Sequence, residues 1–293
     1  MKYSKFYLVS LIFISSLFVG VFIPTSIART EIGIDSEPEV ISLTSVDLTF
    51  NHEAPSRVKA EHWAVIVGIS DYKVISDLRF CDEDANDWYN YFVGLGYEHI
   101  IVLGDHSNEF YQFDDIASEY NIKQALNNVV ANASEDDVIS YVTSGHGSRA
   151  KVGESLICAW DYGAGENGED GRFWDYELAA ILELAVAEQI FVFIDHCFAG
   201  GFGPELMAMP NSEYVWFGAA CAEQGMGWDA YEFNNGLWTY YFLEFTLVNH
   251  FESNPKTTME EAFVYALTYF SYQFGVMVPQ EYDGNLHKLF VLI

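Results

Sequence analysis

Two short stretches of the chain hold the side chains best suited to covalent chemistry. One is Thr143-Ser144-Gly145-His146-Gly147-Ser148; the other is Asp195-His196-Cys197-Phe198-Ala199-Gly200-Gly201. A thiol becomes an acyl-transfer nucleophile when a nearby imidazole takes its proton or stabilises its thiolate. His146 and Cys197, 51 residues apart, supply that pair. The glycines beside His146 let the backbone approach a substrate closely, and the N–H of Gly147, with that of Cys197 itself, is suited to hold a developing oxyanion. His196 is a rival base by proximity alone. Successive strand side chains point to opposite faces, so His196 is expected to face away from the thiol, and its replacement by Ala to leave much of the activity. A Ser–His hydrolase would need a GxSxG elbow, which is missing. The loop 163–171 lacks the Lys-Ser/Thr of a phosphate loop and the acidic spacing of an EF-hand, and reads as a solvated loop.

The elements that must position these groups alternate along the chain. Apolar, β-branched runs at 62–69, 100–103, 138–142, 190–194, 214–220 and 289–293 read as strands. Amphipathic stretches at 81–95, 122–130, 176–187, 237–248 and 259–274 read as helices between or after them. Buried strands separated by helices predict an α/β fold with a mostly parallel sheet and helices on both faces. In such sheets functional groups gather beyond the carboxyl ends of the strands. Both reactive stretches stand at such ends.

The N-terminus sets the compartment. Lys2 and Lys5 precede an apolar run over 6–23, then Pro24 and Ser26-Ile27-Ala28, the charged, apolar and small-residue order of a secretory signal. Residues 1–28 are therefore expected to be a signal peptide or membrane anchor, 29–60 a polar pro-segment or linker, and 61–293 the folded domain. The protein is expected to be secreted, or held at the outer face of a membrane by residues 6–23 alone. With 13 Lys and Arg against 43 Asp and Glu, the formal charge of -30 repels phosphate backbones and argues against nucleic acid as a partner. Four cysteines match no disulfide framework or CxxC metal site, so no structural disulfide and no metal centre is expected.

A strand ending in Ser-Gly-His-Gly, followed about fifty residues later by one ending in Asp-x-Cys-x-x-Gly, resembles the caspase, metacaspase and legumain group. The likeness extends over 62–293, including the stretch Leu78 to Ala85, the helix start Gly236-Leu237-Trp238-Thr239-Tyr240 and the closing strand. It implies a three-layer αβα caspase-like sandwich with a six-stranded sheet, and peptide-bond hydrolysis through a thioester without a cofactor. Within the group, the sequence is most similar to metacaspases. Their pocket for Arg or Lys corresponds here to Cys81, Asp84, Ser144 and Asp195. Carboxylates in a partly desolvated pocket favour a guanidinium or ammonium and repel an acid, so protein or peptide substrates with basic residues are expected. Metacaspases often bind calcium through acids after the His and after the Cys. Asp175 stands near the first position, whereas Gly201-Phe202-Gly203-Pro204 lacks the second. Two alternatives remain: a legumain-like Asn-specific peptidase, favoured by the character of 214–228, and an inactive caspase-like binding module.

Overall fold

The parallel strands form where the β-branched runs leave no polar face for water. The computed structural model describes residues 59–270 and 277–293. In chain order these form β1 (His62–Gly68), α1 (Cys81–Leu95), β2 (His99–Gly104), β3 (Asp115–Ile116), α2 (Glu119–Asn132), β4 (Val138–Ser144), β5 (Gly147–Lys151), β6 (Glu154–Cys158), β7 (Arg172–Trp174), α3 (Asp175–Leu182) and β8 (Gln189–Asp195). They continue with α4 (Gly203–Ala208), β9 (Val215–Ala219), β10 (Asp229–Ala230), β11 (Asn235–Gly236), α5 (Leu237–Thr239), a π-helical stretch Tyr240–His250, α6 (Met259–Tyr269) and β12 (Gln280–Asp283). The main sheet runs β12-β9-β8-β4-β1-β2-β3, parallel throughout except for β12. β4 and β8 are buried along their whole length, as both faces of an inner parallel strand require.

Helix α1 packs with the π-helical stretch and α6 packs on that stretch, while α3 packs against both α2 and α4 in a second group. This is the expected α/β layering. Trp88 of α1, Phe191 and Phe193 of β8, Trp216 of β9 and Phe242 form an aromatic core in which the Phe191 and Trp216 rings lie 5.4 Å apart and nearly parallel. Among the described residues, no helix is long and apolar enough to cross a membrane. The N-terminal segments 1–28 and 29–58 lie outside the described residues.

The structure corrects one of these expectations and adds two features to them. The sheet has seven strands, and its last is β12, not 289–293. That apolar run is instead a half-buried plug: Phe290 and Leu292 are 6% and 2% exposed while Leu289 and Ile293 are exposed, and its backbone bonds to side chains, with the Phe290 N–H on Glu260 and the Val291 N–H on Gln189. The polar residues of β12 suit an edge strand, which charge protects from further pairing. Second, β5, β6 and β7 form a small antiparallel sheet directly after His146. Its short strands carry too few apolar residues to announce themselves. Third, the 163–171 loop is anchored: Glu119 accepts the N–H groups of Asp170, Gly171 and Arg172, and Gly171 is buried.

Candidate active site

The β4/β8 register decides how the two reactive stretches meet. Ser144 pairs with Asp195 at the carboxyl ends of these adjacent strands. His146 and Cys197 each lie two residues beyond that pair, and both line one cleft of about 310 Å³ with Leu78, Trp228 and Asp229. After His146 the chain turns into β5. The Cys158 N–H donates to the His146 carbonyl at 2.9 Å, making 146 and 158 a hydrogen-bonded pair of the β5/β6 ladder. Antiparallel pairs alternate, so the next pair, Gly147 and Ile157, leaves the Gly147 N–H outside the ladder. A Cβ on Gly147 would stand 2.0 Å from the Cys197 carbonyl oxygen, so only glycine fits.

The imidazole of His146 is oriented by backbone: its Nε2–H donates to the Ser76 carbonyl at 2.9 Å, which leaves Nδ1 as the unprotonated nitrogen. The Cys197 thiol points at the Gly227 carbonyl, 3.8 Å away. Burial pushes the Cys197 thiol up, with the charges of Asp195 and Asp229 adding to the rise, so the resting group is a thiol. Phe198 follows at φ 61°, a left-handed conformation costly for a bulky side chain, and makes the sharp turn that ends the strand. Cys197 is half-buried and unpaired; Cys81, Cys158 and Cys221 are buried and unpaired.

The second group of expected residues also converges. Asp84, on the first turn of α1, is fully buried and accepts the Ser144 hydroxyl at 2.5 Å and the Gly236 N–H at 2.9 Å. Asp195 accepts both the N–H and the hydroxyl of Thr239, at 2.8 and 2.9 Å. Cys81 is buried beside them. Sequence reasoning missed Asp229, which lines the cleft and accepts the Arg79 N–H at 3.3 Å, and the anchoring roles of Gly236 and Thr239. The helix start at 236–240 was visible; nothing local tied it to Asp84 or Asp195.

A family model described as metacaspase, peptidase C14 domain, matches residues 62–204, which include both His146 and Cys197. Over residues 62–204 this chain is similar to a metacaspase peptidase domain. The match supports a cysteine peptidase. The chain also resembles the crystal structure of a Geobacter sulfurreducens protein, at 14% identity and a TM-score of 0.58, over 78% of this chain and 95% of that one; at such identity the likeness shows fold alone. No curated protein matches the sequence.

A calcium site of the metacaspase kind does not fit this donor set. The two oxygens of Asp175 accept the N–H groups of Ser155 and Tyr176, and Ala199–Phe202, after the Cys, offers no carboxylate. Among the described residues, Glu119, Glu169 and Glu177 are close enough to share a cation. They converge instead on the Lys123 ammonium at 2.6, 2.9 and 2.7 Å.

The buried carboxyls of Asp84 and Asp195 have a consequence for stability. Burial pushes the Asp195 carboxyl up to about 7, and burial with the nearby Asp195 charge pushes Asp84 well up. A folded-state pKa above the unfolded value of about 4 means stability that is full below that value and is lost as pH rises through about 7. The ligand-free domain should therefore melt at lower temperature at pH 8 than at pH 5.5. Asp195→Asn should shrink that difference by ~5 °C, since about 2 kcal/mol moves the midpoint of a domain this size by that much. Identical pH dependence of the two melting curves would show that Asp195 is ionised throughout.

Proposed function

We propose that this protein is a cysteine endopeptidase that cuts peptide bonds after Arg or Lys, with Cys197 as nucleophile and His146 as general base. The observation that carries the reading is the register of Ser144 with Asp195, beyond which imidazole and thiol share one cleft. Nδ1 of His146 takes the Cys197 proton, and the thiolate attacks the scissile carbonyl carbon. The N–H groups of Gly147 and Cys197 hold the oxyanion. The imidazolium then protonates the leaving amine, giving a thioester. Water, deprotonated by His146, attacks that thioester and regenerates the thiol. The substrate's basic side chain enters against Asp84, Asp195 and Asp229, whose carboxyls lose their protons as the cation arrives.

The same reading includes export through residues 1–28, supported by their charged, apolar and small-residue order, and maturation in the polar segment. No Lys or Arg lies between Arg172 and Lys256. The connection after Cys197 folds as a short 3-10 turn and α4, with Gly200, Gly201, Phe202 and Leu206 buried and the Gly200 carbonyl accepting the Tyr282 hydroxyl at 2.8 Å. It offers a basic-specific protease nothing to cut. Self-cleavage belongs at Arg57 or Lys59; the Lys59 side chain is 82% exposed.

One experiment tests both parts: incubation of the purified chain with a thiol-reactive probe carrying Arg at its reactive end. The expected product is a single polypeptide labelled at Cys197, beginning just after Arg57 or Lys59 by N-terminal sequencing and intact mass. Absence of Cys197 labelling would instead fit a binding module. Two chains nicked between Cys197 and Tyr214 would refute the maturation route.

A further inference from the structure

His196, next to the nucleophile, makes contacts that neither half of the catalytic pair accounts for. It is 1% exposed, at the end of β8. Its Nδ1 lies 2.8 Å from the carbonyl oxygen of His146, and its Nε2 lies 2.8 Å from the Thr143 hydroxyl. Burial pushes the imidazole down to about 3, so the ring is neutral. A carbonyl only accepts, which puts the proton on Nδ1 and makes Nε2 the acceptor of the Thr143 O–H. Both nitrogens are thereby committed, so His196 cannot act as the rival base.

The rest of the His146 peptide is gripped as well. Its N–H donates to the Tyr72 hydroxyl at 2.6 Å, and its carbonyl also accepts the Cys158 N–H. A Cβ on Gly145 would lie 2.6 Å from the Tyr72 oxygen and 3.1 Å from Cε1 of His196, while one on Gly147 would lie 3.0 Å from Cβ of His196. The glycines around the base are thus required partly by the second histidine. The carbonyl of His196 in turn accepts the Cys221 thiol at 3.3 Å, which ties it to the end of β9.

We infer that His196 is a positioning residue: bonded to the His146 carbonyl and covalently next to Cys197, it sets the distance and orientation between base and nucleophile. This rests on the peptidase reading above and reverses the expectation that His196 is dispensable. Parallel strands alone cannot hold that distance, because both reactive residues lie beyond the last paired residues, Ser144 and Asp195. A single side chain crossing from one loop to the other replaces the missing ladder. Misplacement of reacting groups by about 1 Å costs about 10²-fold in rate.

The test compares His196→Ala, His196→Asn and His196→Gln with Cys197→Ala, each as the full chain, on a peptide substrate with Arg before the cut. His196→Ala should lower kcat about 10²-fold with KM within about 2-fold, because the carboxylates that would hold the basic side chain are unchanged. His196→Asn, whose amide N–H sits where Nδ1–H does, should restore kcat to within about 10-fold of wild type; His196→Gln, which keeps only the outer position, should not. The Asn–Gln contrast stands even where the Ala variant fails to fold. Equal kcat for Asn and Gln, or wild-type kcat for a folded Ala variant, would overturn the inference. So would a loss confined to KM. Full activity in Cys197→Ala would overturn the peptidase reading itself, so the two failures are told apart.

Discussion

Cys197→Ala and His146→Ala should each lower the rate of peptide cleavage by about 10⁴-fold or more while leaving the fold intact. The size follows from the way such pairs act. Without the thiol there is no thioester, and without the imidazole the thiol stays protonated, because burial already pushes it up. What survives is binding and oxyanion stabilisation alone, and loss of one member costs nearly as much as loss of the pair. Neither substitution should disturb the core, since Cys197 is only half-buried and His146 is partly exposed in the cleft. Steady-state kinetics beside a melting curve separate the two effects. A folded Cys197→Ala protein that cuts at the wild-type rate would remove the nucleophile assignment.

Asp195→Asn should cut kcat/KM for substrates with Arg or Lys by about 10²-fold or more, and leave neutral substrates within about 5-fold. Truncating one partner of a desolvated charge pair costs about 2–5 kcal/mol, and here the cation would enter among Asp84, Asp195 and Asp229. Thr239, which donates twice to Asp195, can still donate to the amide oxygen, so the pocket should keep its shape. Only its charge changes. Asp229→Asn should give a smaller loss, because that carboxylate lines the open cleft and is already engaged by the Arg79 N–H. A library of peptides differing at the residue before the cut reads both variants. A wild-type profile dominated by Asp, or by Asn as in the legumain-like alternative, would contradict the acidic-pocket argument.

Much of the fold was legible because buried parallel strands are written as uninterrupted β-branched runs, and each such run at 62–69, 138–142 and 190–194 became an inner strand. The run at 289–293 misled for the same reason: burial alone does not distinguish a ladder from a plug held by Glu260 and Gln189. Strand β12 was hidden because an edge strand needs no apolar pattern.

The sequence by itself singled out the groups proposed to react. A His between two glycines and a Cys shortly before Gly200-Gly201, each at the carboxyl end of a strand-forming run, are local signals, and so is the acid-rich opening of α1. It also determined, through the absence of Lys and Arg between 172 and 256, where a basic-specific enzyme could not cut itself. Only the tertiary structure decided what each group faces. Asp84 meets Gly236 across 152 residues, and Asp195 meets Thr239 across 44. His196, one residue beyond the end of β8, meets the base's own carbonyl. No local pattern encodes that bond, because a hydrogen bond between two loops depends on the sheet register that brings the loops together. The part proposed for His196 thus rests on packing alone.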